Sequence, residues 1–189
     1  MKNTIEALAL GGLILAATIT GCKTPNQASN APRHQEASKG WTYNPQNGHE
    51  YKLTKPETWI EAAQEARAAG GYLVSINSPQ ENAWIVDNFK GYDTLWIGLS
   101  DETGKGNFKW ESGEPFKKSN FESWNKSNGY NDGGDEPNNL GREPRVYMFG
   151  YSKLNLENSM HGRNIGGWNN VIGDDIIPGV IERVRAKRD

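Results

Sequence analysis

Glu136-Pro137-Asn138 places two oxygen-bearing side chains two residues apart around a proline, Glu143 stands five residues beyond, and Asn169-Asn170 come later in the chain. A hard cation such as Ca²⁺ takes six to eight oxygens, at roughly 2.3–2.6 Å, from carboxylates, amide carbonyls, backbone and water. Two carboxylates and three amides are donors of that kind. The same groups have a second use, because an amide N–H donates while a carboxylate accepts, so a vicinal diol can bond the metal and the side chains together. Proline fixes the turn, and a cis bond before it would aim both flanking side chains at one point. Asn in a loop also serves simply to form turns, and spacing alone leaves both readings open.

Other chemistries are poorly served. No nucleophile–base pair is legible, no histidine pair has metal-ligand spacing, and no serine sits in a nucleophile elbow. Glu136 and Glu143 would be the carboxylate pair of a glycosidase, but nothing in the sequence raises the pKa of either, so no enzyme is expected. Twenty-one Lys and Arg balance 23 Asp and Glu, for a net charge of −2, which argues against a nucleic-acid partner. One cysteine excludes an intramolecular disulfide and a Cys-clustered zinc site.

The elements that must position these residues are legible up to residue 100. Residues 49–54 alternate as a strand. Residues 56–69 read as a helix capped by Thr54 and stopped by Gly70-Gly71, with Trp59, Ala62, Ala63 and Ala66 on one face. Residues 72–76 form a short strand. A second helix runs over 78–89, with Ser78 and Glu81 as a capping box and Trp84, Ile85 and Phe89 facing the core. Leu95-Trp-Ile-Gly-Leu99 is apolar without alternation, a strand buried on both faces. Residues 100–167 are then mostly Gly, Asn, Ser, Asp and charged residues broken by single aromatics, with short strands at 108–110 and 146–149. Strands at 168–171 and 179–182 close the chain. So long a loop region in a compact domain is more often functional than idle.

The N-terminus reads as an address. Residues 7–20, ALALGGLILAATIT, are apolar but shorter than the roughly 20 residues of a membrane-spanning helix, and Lys2 precedes them. Cys22 ends the run in Ile19-Thr20-Gly21-Cys22, which resembles a bacterial lipoprotein box. The expected organisation is a signal peptide over 1–21, lipidation of Cys22, a polar flexible tether over 22–39, a folded domain over 40–183 and a basic tail over 184–189. An outer-membrane or cell-surface location is expected.

Four pieces in order resemble a C-type lectin-like domain: Trp59 through Gly70-Gly71-Tyr72-Leu73, then Trp96-Ile97-Gly98-Leu99, then Glu136-Pro137-Asn138, then Trp168-Asn169-Asn170 with Val180-Ile181-Glu182. The resemblance implies an α+β fold, two helices flanking small antiparallel sheets, with a long loop region carrying the ligand site. It implies a Ca²⁺ site that binds sugars of the mannose, glucose or fucose type. The implied metal ligands are Glu136, Asn138, Glu143, Asn169 and Asn170, the last through side chain and carbonyl. Glu136, Asn138, Glu143 and Asn169 would also contact the sugar.

This chain departs from the family pattern. The usual Trp-Asn-Asp reads Trp168-Asn169-Asn170, which lowers the charge of the site from −3 to −2 and implies a weak site, with a dissociation constant of roughly 10⁻⁴–10⁻³ M or poorer. An accessory calcium site is mostly missing: Asp101 matches, but Lys105, Asn139 and Pro144 stand where acids would be. The family's two disulfide positions hold Ala66 with Ile181 and Arg145 with Gly173. Insertions at 125–135 and 150–167 flank the site, with Tyr130 and Tyr151 as aromatic contacts for a sugar or for local packing, while His161 has no assigned role. Trp96 and Trp110 are expected in the core, and Trp168 as a structural plug. The expected function is calcium-dependent glycan binding by a lipid-anchored surface lectin, or else a calcium-independent protein-interaction or adhesion module on the same fold.

Overall fold

The computed structural model describes residues 40–118, 120–126, 135–158 and 164–185. Cys22, Tyr130, His161, Lys187 and Arg188 lie outside these residues. Among the described residues no helix is long and apolar enough to cross a membrane.

The two ends of the domain are joined in one sheet. Strand β1 (Thr42–Tyr43) turns into β2 (His49–Leu53), which pairs antiparallel along its whole length with the last strand, β8 (Val180–Val184). β3 (Tyr72–Leu73) adds to the far side of β8, giving the order β1-β2-β8-β3. The expected strand over 72–76 is thus only two residues long. Two arginines at this end are held against the sheet: Arg183, in β8, bonds the buried Glu50 at 2.8 Å and lies 3.8 Å from the Trp41 ring, while Arg185, in the 184–189 tail, lies 3.6 Å from Glu50 Oε1 and 5.2 Å from the Tyr43 ring. A cation held over an aromatic face and beside a carboxylate is fixed twice, so Arg185 packs on the domain as Arg183 does.

Helix α1 (Trp59–Ala68) starts later than expected. Thr58, not Thr54, is its cap, and Glu61 reaches back to complete a capping box. Thr54 instead accepts from Gly179 N at 2.9 Å, locking β2 to the start of β8. Three alanines let the helix lie close to the sheet: Trp59, Ala62, Ala63 and Ala66 pack with Leu73, Trp96 and Ile181. Ala66 and Ile181 are both fully buried there, so apolar packing occupies one of the two disulfide positions.

The second sheet has the order β5-β4-β6-β7, formed by β4 (Thr94–Ser100), β5 (Lys109–Trp110), β6 (Arg145–Phe149) and β7 (Trp168–Val171). β4 is buried on both faces, as its continuous apolar text requires. Its Trp96 faces the α1 cluster while Leu95, Ile97 and Leu99 join the larger core. Gly98 is where β4 meets the first sheet: its amide donates to Val74 O at 2.9 Å, and a Cβ would lie 2.3 Å from Leu73 O. Only glycine permits that approach.

A third helix, α3 (Lys153–Asn158), lies in the second insertion, beyond the two expected. Ser152 Oγ accepts from Asn155 N at 3.1 Å and the Asn155 amide donates to Gly150 O at 3.0 Å. Serine followed by Lys-Leu-Asn is a cap signal, hidden in the sequence by six residues without an apolar period.

Helix α2 (Pro79–Asn88) is capped by Ser78 as expected, but Glu81 does not complete a box on Ser78. Its carboxylate turns inward and accepts from Asn77 N at 3.0 Å and from Tyr51 OH at 2.6 Å. Tyr51 OH also lies 3.1 Å from Glu182 Oε1, which in turn sits 2.6 Å from His49 Nδ1. Two carboxylates thus compete for one phenolic hydrogen. Burial, then repulsion from Glu182, pushes the Glu81 carboxyl up to about 7. The hydrogen bond to Glu182 raises the His49 imidazole against the opposing effect of burial. Both groups hold protons in the folded chain that the unfolded chain has released. Their stabilisation is therefore complete below about pH 4.5 for Glu81 and about pH 6.5 for His49, and is lost as pH rises through the folded values. Thermal melting should give a higher Tm at pH 5 than at pH 8, with Glu81→Gln removing much of the slope. The Glu81 part is on the order of 2 kcal/mol. A Tm that climbs from pH 5 to pH 8 would contradict the shared-proton arrangement.

Candidate functional site

The Glu136 loop is held to β7 by a short relay of backbone bonds. Trp168 N donates to Ser123 O at 2.7 Å, Asn125 N to Trp168 O at 2.8 Å, and Glu136 N to Asn125 O at 2.9 Å. The Glu136–Pro137 peptide bond is cis, and the flanking side chains meet: Asn138 Nδ2 donates to Glu136 Oε1 at 2.9 Å and Asn138 N to Glu136 Oε2 at 3.1 Å. Glu136 is 5% exposed, so this carboxylate is held from within rather than waving in solvent.

Asn170 binds the loop from β7. It is 1% exposed and satisfied on both sides of its amide. Its Oδ1 accepts from Asn138 N at 3.0 Å, while its Nδ2 donates to Asn138 O at 2.6 Å and to Glu143 O at 3.0 Å. A carboxylate in this place would have no hydrogen to offer either carbonyl. The Asp-to-Asn departure noted in the sequence therefore has a structural consequence: the amide ties the two limbs of the 136–143 loop together without an ion.

Glu136, Asn138 and Asn170 are brought into direct contact. Asn169 joins at one remove, its Nδ2 donating to Asn170 O and to Tyr147 OH, both at 3.2 Å. Tyr147 stands opposite Asn169 in the β6–β7 register, so the phenol that steadies this amide is supplied by a cross-strand pair. Tyr147 was not singled out from sequence; its signal was the alternation over 145–149 opposite Trp168-Asn169. Glu143 contributes its carbonyl to Asn170, while its carboxylate accepts from Asn139 Nδ2 at 2.9 Å. Asn139 takes the left-handed conformation, with φ of 46°, at the turn where Arg142 N donates back to Asn139 O.

The position of the accessory site is closed from inside. Asp101 is fully buried and accepts from Thr103 Oγ1 at 2.7 Å, Gly106 N at 2.6 Å and Gly104 N at 3.1 Å. Burial alone would raise its carboxyl, but these bonds together hold it below the usual range. It organises the 101–106 turn. The other disulfide position is also filled: a Cβ on Gly173 would meet Arg145 Cγ at 2.5 Å, and the Arg145 guanidinium lies 4.5 Å from the Trp59 ring and pairs with Glu102. Tyr151 lies under Lys90 Nζ at 5.0 Å from its ring centre.

Glu136, Asn138, Glu143, Asn169 and the Asn170 carbonyl carry oxygens of the type Ca²⁺ takes, but the contacts gather Glu136, Asn138 and Asn170 with Asn169 beside them, while the Glu143 carboxylate turns to Asn139. The Asn170 side chain fits less well, because its oxygen and both amide hydrogens are already engaged. Among the described residues no group of three or more His, Cys, Asp or Glu is placed to hold a metal ion.

A family model described as Lectin C-type domain matches residues 55–157 of the chain. The chain is 35% identical over 111 residues to a C-type lectin of Cerberus rynchops, covering 53% of this chain and 63% of that protein's length. Its structure resembles the cow carbohydrate-recognition domain of CD23, solved in the presence of a GlcNAc2Man3 oligosaccharide, with 25% identity, a TM-score of 0.60, and coverage of 80% of this chain and 98% of the other. It also shares its fold with a calcium-independent type II antifreeze protein, at 19% identity and a TM-score of 0.59, over 80% of this chain and 98% of that one.

Proposed function

Because the chain belongs to the Lectin C-type domain family, whose members are generally non-enzymatic carbohydrate-binding proteins, we propose that it binds glycans in a calcium-dependent way at the Glu136-Pro137-Asn138 loop. The observation that supports this reading is the hydrogen-bonded meeting of Glu136, Asn138 and Asn170 with Asn169 beside them, groups that between them carry the carboxylate, amide and carbonyl oxygens a hard cation takes. Glu136, Asn138, Glu143, Asn169 and the Asn170 carbonyl would hold the ion. Bound there, Ca²⁺ would supply a point of positive charge for two adjacent hydroxyls of a mannose-, glucose- or fucose-type sugar. Glu136 would accept from those hydroxyls and the Asn138 amide would donate to them.

With two formal charges the metal site is weak, and a single sugar binds in the millimolar range, near −4 kcal/mol. Useful retention then comes from several copies meeting a repeated glycan. A lipid on Cys22 would supply that by crowding the domain on an outer-membrane or cell-surface layer, with residues 22–39 as its tether. Glu136→Gln is expected to lower calcium affinity by about tenfold or more and to abolish the chelator-sensitive signal on a glycan array. An unchanged calcium titration, or glycan binding equally strong in chelator, would overturn the reading.

The Asn170 amide favours a second reading, a calcium-independent adhesion or protein-interaction module, because it already closes the loop that an ion would otherwise gather. The two readings separate on the Tm with and without Ca²⁺. An ion bound only by the folded chain raises it, and an indifferent fold leaves it unchanged.

A further inference from the structure

The first sheet carries a polar cleft that the calcium reading does not use. It is open, about 320 Å³ in volume, and its lining includes His49, Tyr72, Ser112, Glu114, Glu182, Arg183 and Val184. The sheet register explains why these residues meet. Tyr72 and Tyr51 flank Glu182 across β3, β8 and β2, and Val184 pairs with His49 two residues further along β8. Side chains alternate along a strand, so this whole row shares one face.

Each polar lining group is held from behind. His49 Nδ1 lies 2.6 Å from Glu182 Oε1, Glu114 Oε2 accepts from Asn77 Nδ2 at 2.8 Å, and Ser112 Oγ sits 2.8 Å from Ser75 Oγ. Glu182 is itself fixed by Ser75 N at 2.9 Å. Beside them Tyr72 is 45% and Val184 74% exposed, so the apolar members of the row remain open to solvent. Fixed polar groups beside exposed apolar ones, around a concavity of this size, are the make-up of a ligand site.

The charges narrow the ligand. Glu182 engages His49 through Nδ1 and raises the imidazole, so Nε2 is left to donate when the ring is protonated or accept when it is neutral; the Ser112 hydroxyl gives or takes a hydrogen, and the Glu114 carboxylate accepts. An ammonium group would meet the raised His49 imidazole and the cationic Arg183, whose guanidinium is held on Glu50 at 2.8 Å, and an anion would meet the Glu114 and Glu182 carboxylates. A neutral ligand with hydroxyls that both donate and accept satisfies all three. We propose that this cleft is a second, metal-free binding site for a neutral pyranose, with the sugar ring against Tyr72 and its hydroxyls on His49 Nε2, the Glu114 carboxylate and the Ser112 hydroxyl. The site stands independently of the calcium reading, because it shares no residue with the Glu136 loop.

The test is amide NMR on the full chain in chelator, titrated separately with methyl glycosides of glucose, galactose, mannose and N-acetylglucosamine, and with lysine methyl ester. At least one glycoside is expected to give saturable shifts at residues 70–72, 112, 114 and 182–184. Tyr72→Ala should weaken that binding by about 5- to 10-fold, and Glu114→Gln by about tenfold or more. Tyr72→Trp should retain it, which separates loss of the aromatic face from loss of the fold, and Glu136→Gln should leave it unchanged. Shifts caused only by the lysine ester, no shift with any glycoside, or full binding by Tyr72→Ala would each overturn the proposal.

Discussion

Asn170→Asp should destabilise the chelated protein by about 2–4 kcal/mol and make its stability strongly calcium-dependent. The change keeps the shape of the side chain and removes both hydrogens that Asn170 gives to Asn138 O at 2.6 Å and Glu143 O at 3.0 Å. In their place stands a carboxylate oxygen facing two carbonyl oxygens, at a residue 1% exposed. Of the partners described above, only the Asn138 amide would face that charge with a hydrogen, so a cation entering there would stabilise it. With Ca²⁺ the same substitution raises the site to three negative charges, so affinity should increase while the loss of stability is recovered. Melting curves in chelator and in calcium measure both effects; for a domain of this size the shift in chelator is roughly 5–15 °C. Equal Tm values for the two proteins in chelator would show that the amide is not the tie described above. A calcium-insensitive Asn170→Asp would argue against any cation site at this loop.

Trp168→Ala should cost about 3–5 kcal/mol, the largest single loss expected in the domain. Trp168 is fully buried, and its ring meets those of Trp110, Phe121 and Trp124 edge-on at 5.9, 5.5 and 5.8 Å. Its Nε1 donates to Asn82 Oδ1 at 3.0 Å, and Asn82 uses its own amide on Gly166 O at 3.0 Å. Truncation therefore opens a cavity among rigid rings and leaves a buried acceptor on α2 without its donor. Trp168→Phe separates the two: it keeps aromatic volume and loses only the hydrogen bond, for about 1–3 kcal/mol. Urea unfolding reads the difference, and a cost below about 1 kcal/mol for the alanine variant would contradict this account. The same residue begins β7 and accepts from Asn125, so it sets the strand on which Asn169 and Asn170 ride. Glycan binding by the phenylalanine variant should then survive wherever the protein remains folded.

The sequence by itself determined the frame. Periodicity placed the apolar face of α1, the continuous run 95–99 placed the buried strand β4, and the ordered motifs carried the α+β lectin fold. These signals are local: burial of one face or two leaves its period in the chain. The start of α1 was not legible in the same way: the expected cap, Thr54, is taken by Gly179 N, a partner 125 residues away, and Thr58 caps the helix instead. Glu81 shows the same limit, since a capping-box spacing cannot foresee a tyrosine 30 residues earlier offering a better partner. Tertiary structure alone decided what Asn170 does. Read from sequence, it is one carboxylate fewer around a metal. In the fold it donates to carbonyls 32 and 27 residues away, and those partners exist only once β7 and the loop have met. Side-chain identity fixes what a group can donate or accept, whereas the packed chain determines which atoms stand within reach.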